Sequence, residues 1–183
     1  ILKENKIYFT SFKDDTVGGD TNGDASSTLS VAGDWRRISI NPGSTANIAN
    51  AVIKYGGYIQ YSCPYQTCYG VINNKGNLNL TNSEITKNYQ SGIYQTAGTA
   101  KIDSSIISEH SSVAVYFSGA SFLTVHNSQI FNNTSYGLIN SSVNVVDAIS
   151  NWWGDDTGPT ISSNPNGKGQ RIFGNILYDP WIG

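Results

Sequence analysis

Apolar residues recur along the middle of the chain at a near-constant interval. Segments that begin at Gly70, Gly92, Ala114 and Gly137 align with one another almost without gaps. This alignment produces three apolar columns: Val71, Ile93, Val115 and Leu138; Leu80, Ile102 and Val125; and Ile85, Ile107 and Ile130. Self-similarity at a fixed period of this kind indicates a structural repeat in which neighbouring units bury a shared core.

Small polar residues repeat in the same register. They form three further columns: Ser83, Ser105 and Ser128; Asn82, Ser104 and Asn127; and Asn88, His110 and Asn133. Stacked polar side chains can satisfy the backbone of buried turns by hydrogen bonding from one repeat to the next. Three short strands per period, joined by turns, predict an all-β fold. We expect a single right-handed parallel β-helix of about six coils with a capped C-terminal coil.

The repeat divides the chain into four stretches of one domain, residues 1–183. Residues 1–57 form irregular N-terminal coils with a long acidic loop at 13–34, and residues 70–150 form the regular coils. Between them lies a Tyr- and Cys-rich insert at 58–69, and residues 151–183 form the C-terminal cap. The insert is indicated by the separation of Asn50 from its equivalent Asn82, which clearly exceeds one period of the repeat.

Composition and charge narrow the possible functions. Asn, Ser, Thr and Gly together supply 76 of the 183 residues, which favours turns and strands over helices. The formal net charge is −2 and the chain has three Arg, so we expect no nucleic-acid partner, since nucleic-acid binding needs a basic surface. No apolar run is long enough to predict a membrane span.

The acidic loop contains oxygen side chains at alternating positions. Asp20, Asn22 and Asp24 surround a glycine-permitted turn, and Asp14 and Asp15 precede them. Carboxylate and amide oxygens in a tight turn are the ligands that calcium prefers. The sequence therefore predicts a structural calcium site in this loop. The alternative is a polar hairpin of Asp-Gly and Asn-Gly turns without metal.

The insert and the residues just before it are rich in tyrosine. The rings recur every three or four positions, at Tyr55, Tyr58, Tyr61, Tyr65 and Tyr69. Tyrosine offers an apolar ring and a hydroxyl group, so an exposed cluster suits contact with a glycan or a protein. The alternative is that several of these rings pack back on the β-helix as a lid.

Two cysteines, Cys63 and Cys68, lie close together in the same insert. We expect a disulfide between them, which indicates an oxidising, exported setting. Two free thiols in a surface loop are the alternative. The chain begins at Ile1 without Met, and we expect it to be a piece of a larger exported protein with neighbouring domains.

Acidic residues of the regular coils do not share a column. Glu84, Asp103, Glu109 and Asp147 occupy different repeat positions, so the paired carboxylates of a glycoside hydrolase are not predicted. The alignment places His110 in a turn column and His126 beside an inward valine. We therefore assign no catalytic residue and favour a role other than catalysis.

Several segments resemble exported bacterial proteins with parallel β-helix repeats. The similar segments are residues 7–24, residues 50–57 and the tail Asn151-Trp-Trp-Gly-Asp-Asp-Thr-Gly-Pro159 with Asp179-Pro-Trp-Ile-Gly183. The resemblance implies the β-helix fold and an exported, extracellular or cell-surface setting, but it does not select a function. Together with the tyrosine-rich insert, it leads us to expect a non-catalytic module that binds polysaccharide or another cell-surface partner. A polysaccharide lyase or glycoside hydrolase, or a purely structural stalk, is the alternative, because this fold supports all of these functions.

Overall fold

The structure is a computed structural model that describes residues 5–58, 69–119 and 121–183. The backbone of these residues forms 18 strands and no helix. No helix in this part of the chain could therefore cross a membrane. All strand pairs between neighbouring coils are parallel, and the strands assemble into three sheets of five, seven and six strands.

The five-stranded sheet has the order β1-β4-β7-β10-β13. Its strands are β1 (Ile7–Phe9), β4 (Ala51–Lys54), β7 (Glu84–Thr86), β10 (Ile106–Ser108) and β13 (Gln129–Phe131). Ile85, Ile107 and Ile130 lie opposite one another across this sheet and are fully buried, as the repeat predicts. Ile53 on β4 continues the same column and pairs with Ile85, although the insert separates the two residues in the sequence.

The six-stranded sheet has the order β18-β15-β12-β9-β6-β3. Its strands are β3 (Thr45–Ala49), β6 (Asn77–Thr81), β9 (Thr99–Asp103), β12 (Phe122–His126), β15 (Val146–Asp147) and β18 (Ile176–Leu177). Leu80, Ile102 and Val125 pair in one register and are buried, which confirms the second predicted column.

The seven-stranded sheet has the order β16-β17-β14-β11-β8-β5-β2. Its strands are β2 (Ile38–Ile40), β5 (Gly70–Asn74), β8 (Ser91–Gln95), β11 (Val115–Phe117), β14 (Leu138–Asn140), β16 (Pro159–Thr160) and β17 (Gly169–Phe173). Together the three sheets give six successive coils. The predicted all-β, right-handed parallel β-helix of about six coils is confirmed.

One predicted column is wrong by a single position. Ile72, rather than Val71, pairs with Ile93, and Ile93 then pairs with Val115. The separation between the first two residues of this column is therefore one residue shorter than the sequence alignment predicts. Both Val71 and Ile72 are fully buried, because Val71 packs beside Gly56 and Trp35 where the chain enters the sheet. Because these two adjacent residues are both apolar, the sequence alone does not determine which of them pairs with Ile93.

A serine ladder joins the coils at the turn between the six- and five-stranded sheets. The hydroxyl of Ser105 accepts a hydrogen bond from the backbone N–H of Ser83 at 3.2 Å, and Ser128 accepts one from Ser105 at 3.1 Å. The residues at the preceding position have positive φ in five successive coils: Asn50 (54°), Asn82 (47°), Ser104 (50°), Asn127 (52°) and Ser150 (56°). Asn tolerates this left-handed conformation better than most residues, which explains the polar columns.

His110 replaces asparagine in the column formed with Asn88 and Asn133. The side chains of those two asparagines each accept a backbone N–H bond and donate to a carbonyl, that of Ile53 or Ile107. His110 is 1% exposed and neither ring nitrogen has a hydrogen-bond partner of normal geometry. Burial lowers the pKa of His110 to about 3, while the nearby backbone carbonyl of the preceding coil acts in the opposite direction. The histidine is a neutral core residue.

Candidate functional site

A row of tyrosines lies on the outer surface of the seven-stranded sheet. Tyr94 and Tyr116 pair in register on β8 and β11, next to the inward residues Ile93 and Val115. Side chains alternate between the two faces of a strand, so the two tyrosines point outward. Their ring centroids are 4.9 Å apart and their planes differ by 11°. The rings therefore cover one another along the helix axis.

Tyr69 continues this row towards the N-terminal coils. Its ring lies 6.3 Å from that of Tyr94, tilted by 53°, and it is 43% exposed. The guanidinium carbon of Arg37 lies 4.1 Å from the Tyr69 ring centroid, a cation–π contact. We call the outer surface formed by Tyr69, Tyr94 and Tyr116 the tyrosine face.

Two adjoining clefts open on this surface. One, of about 450 Å³, is lined by Arg36, Arg37, Ser39, Ile40, Asn41, Tyr69, Asn73 and Lys75. The other, of about 390 Å³, is lined by Tyr69, Asn73, Asn74, Lys75, Tyr94 and Thr96. Both volumes fall within the range of about 300–1,000 Å³ that is typical of small-ligand sites. The clefts share Tyr69, Asn73 and Lys75, and their lining combines aromatic, amide, hydroxyl and cationic groups.

The electrostatics of Arg37 reflect its surroundings. Burial lowers its pKa, the neighbouring cation Arg36 lowers it further, and Tyr69 acts in the opposite direction. Among the described residues the ion pairs join Lys13 to Asp34 and Lys54 to Asp14, and His126 Nε2 lies 3.0 Å from a carboxylate oxygen of Asp147. Neither arginine takes part in any of them. In the described part of the chain, the Arg37 guanidinium is therefore a partly buried cation without an acidic partner.

In the acidic loop, three of the predicted metal ligands come together. Carboxylate oxygens of Asp15, Asp20 and Asp24 lie within 4.8 Å of one another. Asp20 also accepts the backbone N–H groups of Asp24 (3.0 Å) and Ala25 (2.9 Å), so it shapes the turn. The side chain of Asn22 lies beside them and donates to Asp24 at 2.9 Å. Several carboxylate oxygens therefore converge where a cation could bind, and the Asp20 carboxylate also accepts hydrogen bonds from the backbone of the turn.

Asp14 does not belong to this group. Its carboxylate accepts a bond from Lys54 Nζ at 2.8 Å and from the hydroxyl groups of Thr10 and Thr16, and the residue is 2% exposed. Burial alone would raise the pKa of Asp14, but these hydrogen bonds, Lys54 first, lower it to about 2. Asp14 anchors the loop to β4 rather than facing the other carboxylates.

The tyrosines of the insert separate into different places. Tyr69 lies on the tyrosine face. The Tyr55 ring makes a cation–π contact with Lys54, whose Nζ lies 5.2 Å from the ring centroid. The backbone N–H of Tyr58 donates a hydrogen bond to the backbone carbonyl of Trp35. Tyr61, Tyr65, Cys63 and Cys68 lie outside the described residues. The predicted disulfide between the two cysteines stays a prediction.

The other two sheets carry Glu84, Asp103, His126 and Asp147, whereas His110 is buried in the core. Asp103 and His126 pair in register on the six-stranded sheet, and His126 Nε2 lies 3.0 Å from Asp147. Glu84 lies on β7 of the five-stranded sheet. The lining of the two clefts contains no carboxylate among the described residues.

Sequence reasoning did not identify Tyr94, Tyr116, Arg37 and Lys75 as site residues. A signal was present, because Tyr94 and Tyr116 are one repeat apart and each follows an inward apolar residue of the repeat. Outward positions of the repeat need no particular residue, so an aromatic residue repeated there indicates a role beyond the core. Arg37 carried no comparable signal, since it precedes the regular repeats.

Comparison with known proteins identifies the fold family. A family model described as a right-handed β-helix region matches residues 36–181. Comparison with curated proteins and with solved structures gives no match. The match covers most of the chain and agrees with the three parallel sheets. The chain therefore belongs to the right-handed β-helix family.

Proposed function

We propose that this protein is a non-catalytic module that binds polysaccharide on its tyrosine face. The observation that carries the proposal is the pair of adjoining clefts that share Tyr69, Asn73 and Lys75. A polysaccharide is a repetitive, hydroxyl-rich chain, and the parallel coils repeat their outward positions about every 4.8 Å along the helix axis. Repeated tyrosines in such a row suit a repetitive ligand.

The geometry of the rings indicates how the ligand is held. Tyr94 and Tyr116 cover each other's faces, so the stacked pair presents ring edges and hydroxyl groups to solvent. Tyr69 is tilted away from the stack and is exposed. A sugar ring in the clefts would contact the Tyr69 ring while its hydroxyl groups bond to Asn73 and to the tyrosine hydroxyls. The rigid β-helix holds these groups in place before the ligand binds, which lowers the entropic cost of binding.

The charges of the site support binding rather than cleavage. Hydrolysis of a glycosidic bond generally uses two carboxyl groups on either side of it. The described residues of the two clefts provide cations, amides and hydroxyls, and the acids Asp103 and Asp147 lie on the six-stranded sheet. We propose that the module serves an exported bacterial protein at the cell surface, next to other domains of that protein.

We also propose a structural calcium ion in the acidic loop. Asp15, Asp20 and Asp24 supply converging carboxylates, and the oxygens Asp15 Oδ1 and Asn22 Oδ1 are covered and accept no hydrogen bond. Calcium accepts six to eight oxygens in a flexible geometry, which suits a loop of this kind. The ion would fix the loop against the N-terminal coils, since Asp14, the neighbour of Asp15, is anchored to Lys54.

Affinity electrophoresis through gels that contain single polysaccharides tests the binding function. Wild-type protein should be retarded by at least one polysaccharide, and Tyr69→Ala and Asn73→Ala should each lose that retardation. Tyr58→Ala is the matched control, because Tyr58 is 51% exposed but does not line the clefts. Each variant should keep the wild-type melting temperature within a few degrees.

Three results would contradict the proposal. The first is a complete lack of retardation across a broad panel of neutral and acidic polymers. The second is equal loss of retardation in the control variant Tyr58→Ala and in Tyr69→Ala. The third is release of reducing or unsaturated sugars by the wild type, which would identify an enzyme instead.

A further inference from the structure

Positive charge is concentrated around the tyrosine face, although the whole chain carries a net charge of −2. The seven strands of the sheet contain no Asp or Glu, whereas the other two sheets contain Glu84, Asp103 and Asp147. Five cations border this sheet, out of the 11 Lys and Arg residues of the chain: Arg36, Arg37, Lys75, Lys168 and Arg171. Among the described residues, this sheet therefore carries a basic surface on an otherwise acidic chain.

These cations lie at both ends of the seven-stranded sheet, whose outward row continues from Tyr116 to Ile139 and Phe173. Arg36, Arg37 and Lys75 line the larger cleft, at the N-terminal end of the sheet. Arg171 lies at the C-terminal end, where it lines a cleft of about 400 Å³ and its guanidinium carbon is 5.2 Å from the Tyr136 ring. Lys168 and Arg171 also line a neighbouring polar cleft of about 310 Å³. None of these four clefts has a carboxylate in its lining among the described residues.

None of the five cations makes an ion pair with an acid among the described residues. Lys168 does lie near enough to Asp155 to help lower the pKa of that carboxyl. The segment 59–68 adds no acid, since its sequence contains neither Asp nor Glu. Unpaired cations that lie close together repel one another, and burial penalises Arg37 further. A bound anion would relieve both effects, and a carboxylate can accept two parallel hydrogen bonds from a guanidinium group.

We infer that the polysaccharide bound on the tyrosine face is an anionic one whose carboxylate groups contact Arg37 and Lys75 at one end and Arg171 at the other. This inference rests on the proposed polysaccharide-binding function and names its ligand class. From β5 to β17 there are four strand spacings of about 4.8 Å, or roughly 19 Å, so one ligand chain of several sugar units would reach both ends. The chain as a whole is acidic, with a pI of about 5.5, whereas nucleic-acid-binding domains are generally basic overall, and this favours an acidic glycan over nucleic acid.

The test measures the dissociation constants of alginate, hyaluronate and polygalacturonate, each beside its carboxyl-reduced form, which keeps the backbone and lacks the charge. At least one acidic polymer should bind ten-fold or more tightly than its reduced form, and higher salt should weaken the binding. Lys75→Gln, Arg37→Gln and Arg171→Gln should each weaken it by about ten-fold or more, since each removes a charge-assisted hydrogen bond.

Lys101→Gln is the matched control, because Lys101 is an exposed cation on β9 of the six-stranded sheet. It changes the net charge equally and should leave the affinity unchanged. Lys75 is exposed, so its variant should fold even if the half-buried Arg37 proves sensitive to replacement.

Each other outcome overturns the inference in a distinguishable way. Equal affinity for a polymer and its reduced form, with Lys75→Gln and Arg37→Gln unaffected, would leave a neutral-glycan module and refute the anionic ligand. Tighter binding of single-stranded DNA would replace the glycan by nucleic acid. An equal loss of affinity in Lys101→Gln would show that binding depends on the net charge of the protein rather than on the cations of this sheet. Failure of all polymers to bind would refute the proposed function as well.

Discussion

The rings of Tyr94 and Tyr116 stack with centroids 4.9 Å apart at register-paired positions of two neighbouring coils. The spacing of the rings matches the spacing of parallel strands, which is about 4.7–4.9 Å. The pair thus adds a side-chain contact between coils on the outside of the β-helix, beyond the columns of the interior. Its energetic contribution is separable from the polysaccharide-binding function.

A double-mutant cycle measures this contribution. Tyr94→Leu and Tyr116→Leu should each lower the free energy of unfolding, and together they should cost less than the sum of the single changes by about 0.5–1.5 kcal/mol, the usual coupling of an aromatic pair. Urea unfolding provides the values. Tyr69→Leu with Tyr116→Leu is the control cycle, because these two residues are not in ring contact. Strictly additive losses in the Tyr94–Tyr116 cycle would show that the stack does not stabilise the fold.

The interior of this β-helix could be predicted from the sequence because burial constrains residue type. The columns through Ile107 and Ile102 repeat at fixed spacing, since each position must fill the same place in successive coils. The register at Ile72 could not be read from the sequence. It follows an insert, and its neighbour Val71 is equally apolar and equally buried.

The residues of the outer surface were less predictable, because a position exposed to solvent tolerates many residue types. The contact between Arg37 and Tyr69 joins residues that lie far apart in the sequence, on either side of a segment of non-repeating length. No periodic signal in the sequence links such positions. In the acidic loop the composition indicated the convergence of Asp15, Asp20 and Asp24, but only the structure shows that Asp14 faces Lys54 instead.

His110 should make the stability of the protein sensitive to mild acid. Its folded-state pKa of about 3 lies below the ordinary value of 6.5, so between these values the unfolded chain binds a proton that the folded protein does not. The free energy of unfolding should therefore fall as the pH falls from about 6.5 to 3. Between pH 7 and pH 5 we expect a loss of about 2 kcal/mol from this group.

His110→Asn should remove this pH dependence, because asparagine occupies the equivalent position in the neighbouring coils. Urea unfolding at pH 7, 6 and 5 provides the measurement. His126→Asn is the control, since it replaces the other histidine of the chain and leaves the contribution of His110 to the slope in place. An unchanged slope in His110→Asn would mean that the ring is not buried in the neutral form.

Asp14 should act in a lower pH range. Its folded-state pKa of about 2 lies below the ordinary 3.8, so its ion pair with Lys54 contributes stability above about pH 4 that is lost as the pH falls through about 2. Asp14→Asn should lower the free energy of unfolding at pH 7 by about 1–2 kcal/mol and should flatten the stability profile below pH 4.

Lys54→Met tests the same ion pair from the other side. It should also lower the free energy of unfolding at pH 7. The double variant should lose less than the sum of the two single losses, because both changes remove the same interaction. Urea unfolding at pH 7, followed by tyrosine and tryptophan fluorescence, gives the comparison. Independent, additive effects would show that the 2.8 Å contact is not energetically significant.

Calcium should stabilise the protein through the acidic loop. A ligand that binds only the folded state raises its stability by mass action, by about 2.7 kcal/mol when its concentration is 100 times the dissociation constant. We therefore expect a higher melting temperature in millimolar calcium than in EDTA. Magnesium should have a smaller effect, because it demands a stricter octahedral geometry than a loop with carboxylates also engaged as turn acceptors can supply.

Variants of the loop separate metal binding from loop geometry. Asp20→Asn keeps an oxygen for the backbone N–H groups of Asp24 and Ala25 but removes the charge, so it should fold and lose the gain from calcium. Asp15→Asn should behave in the same way. Asp14→Asn should lower the melting temperature in EDTA and still show the gain, because its carboxylate faces Lys54 rather than the other three acids. If calcium leaves the wild-type melting curve unchanged, or if Asp14→Asn alone abolishes the gain, then the three converging carboxylates serve the turn and do not hold an ion.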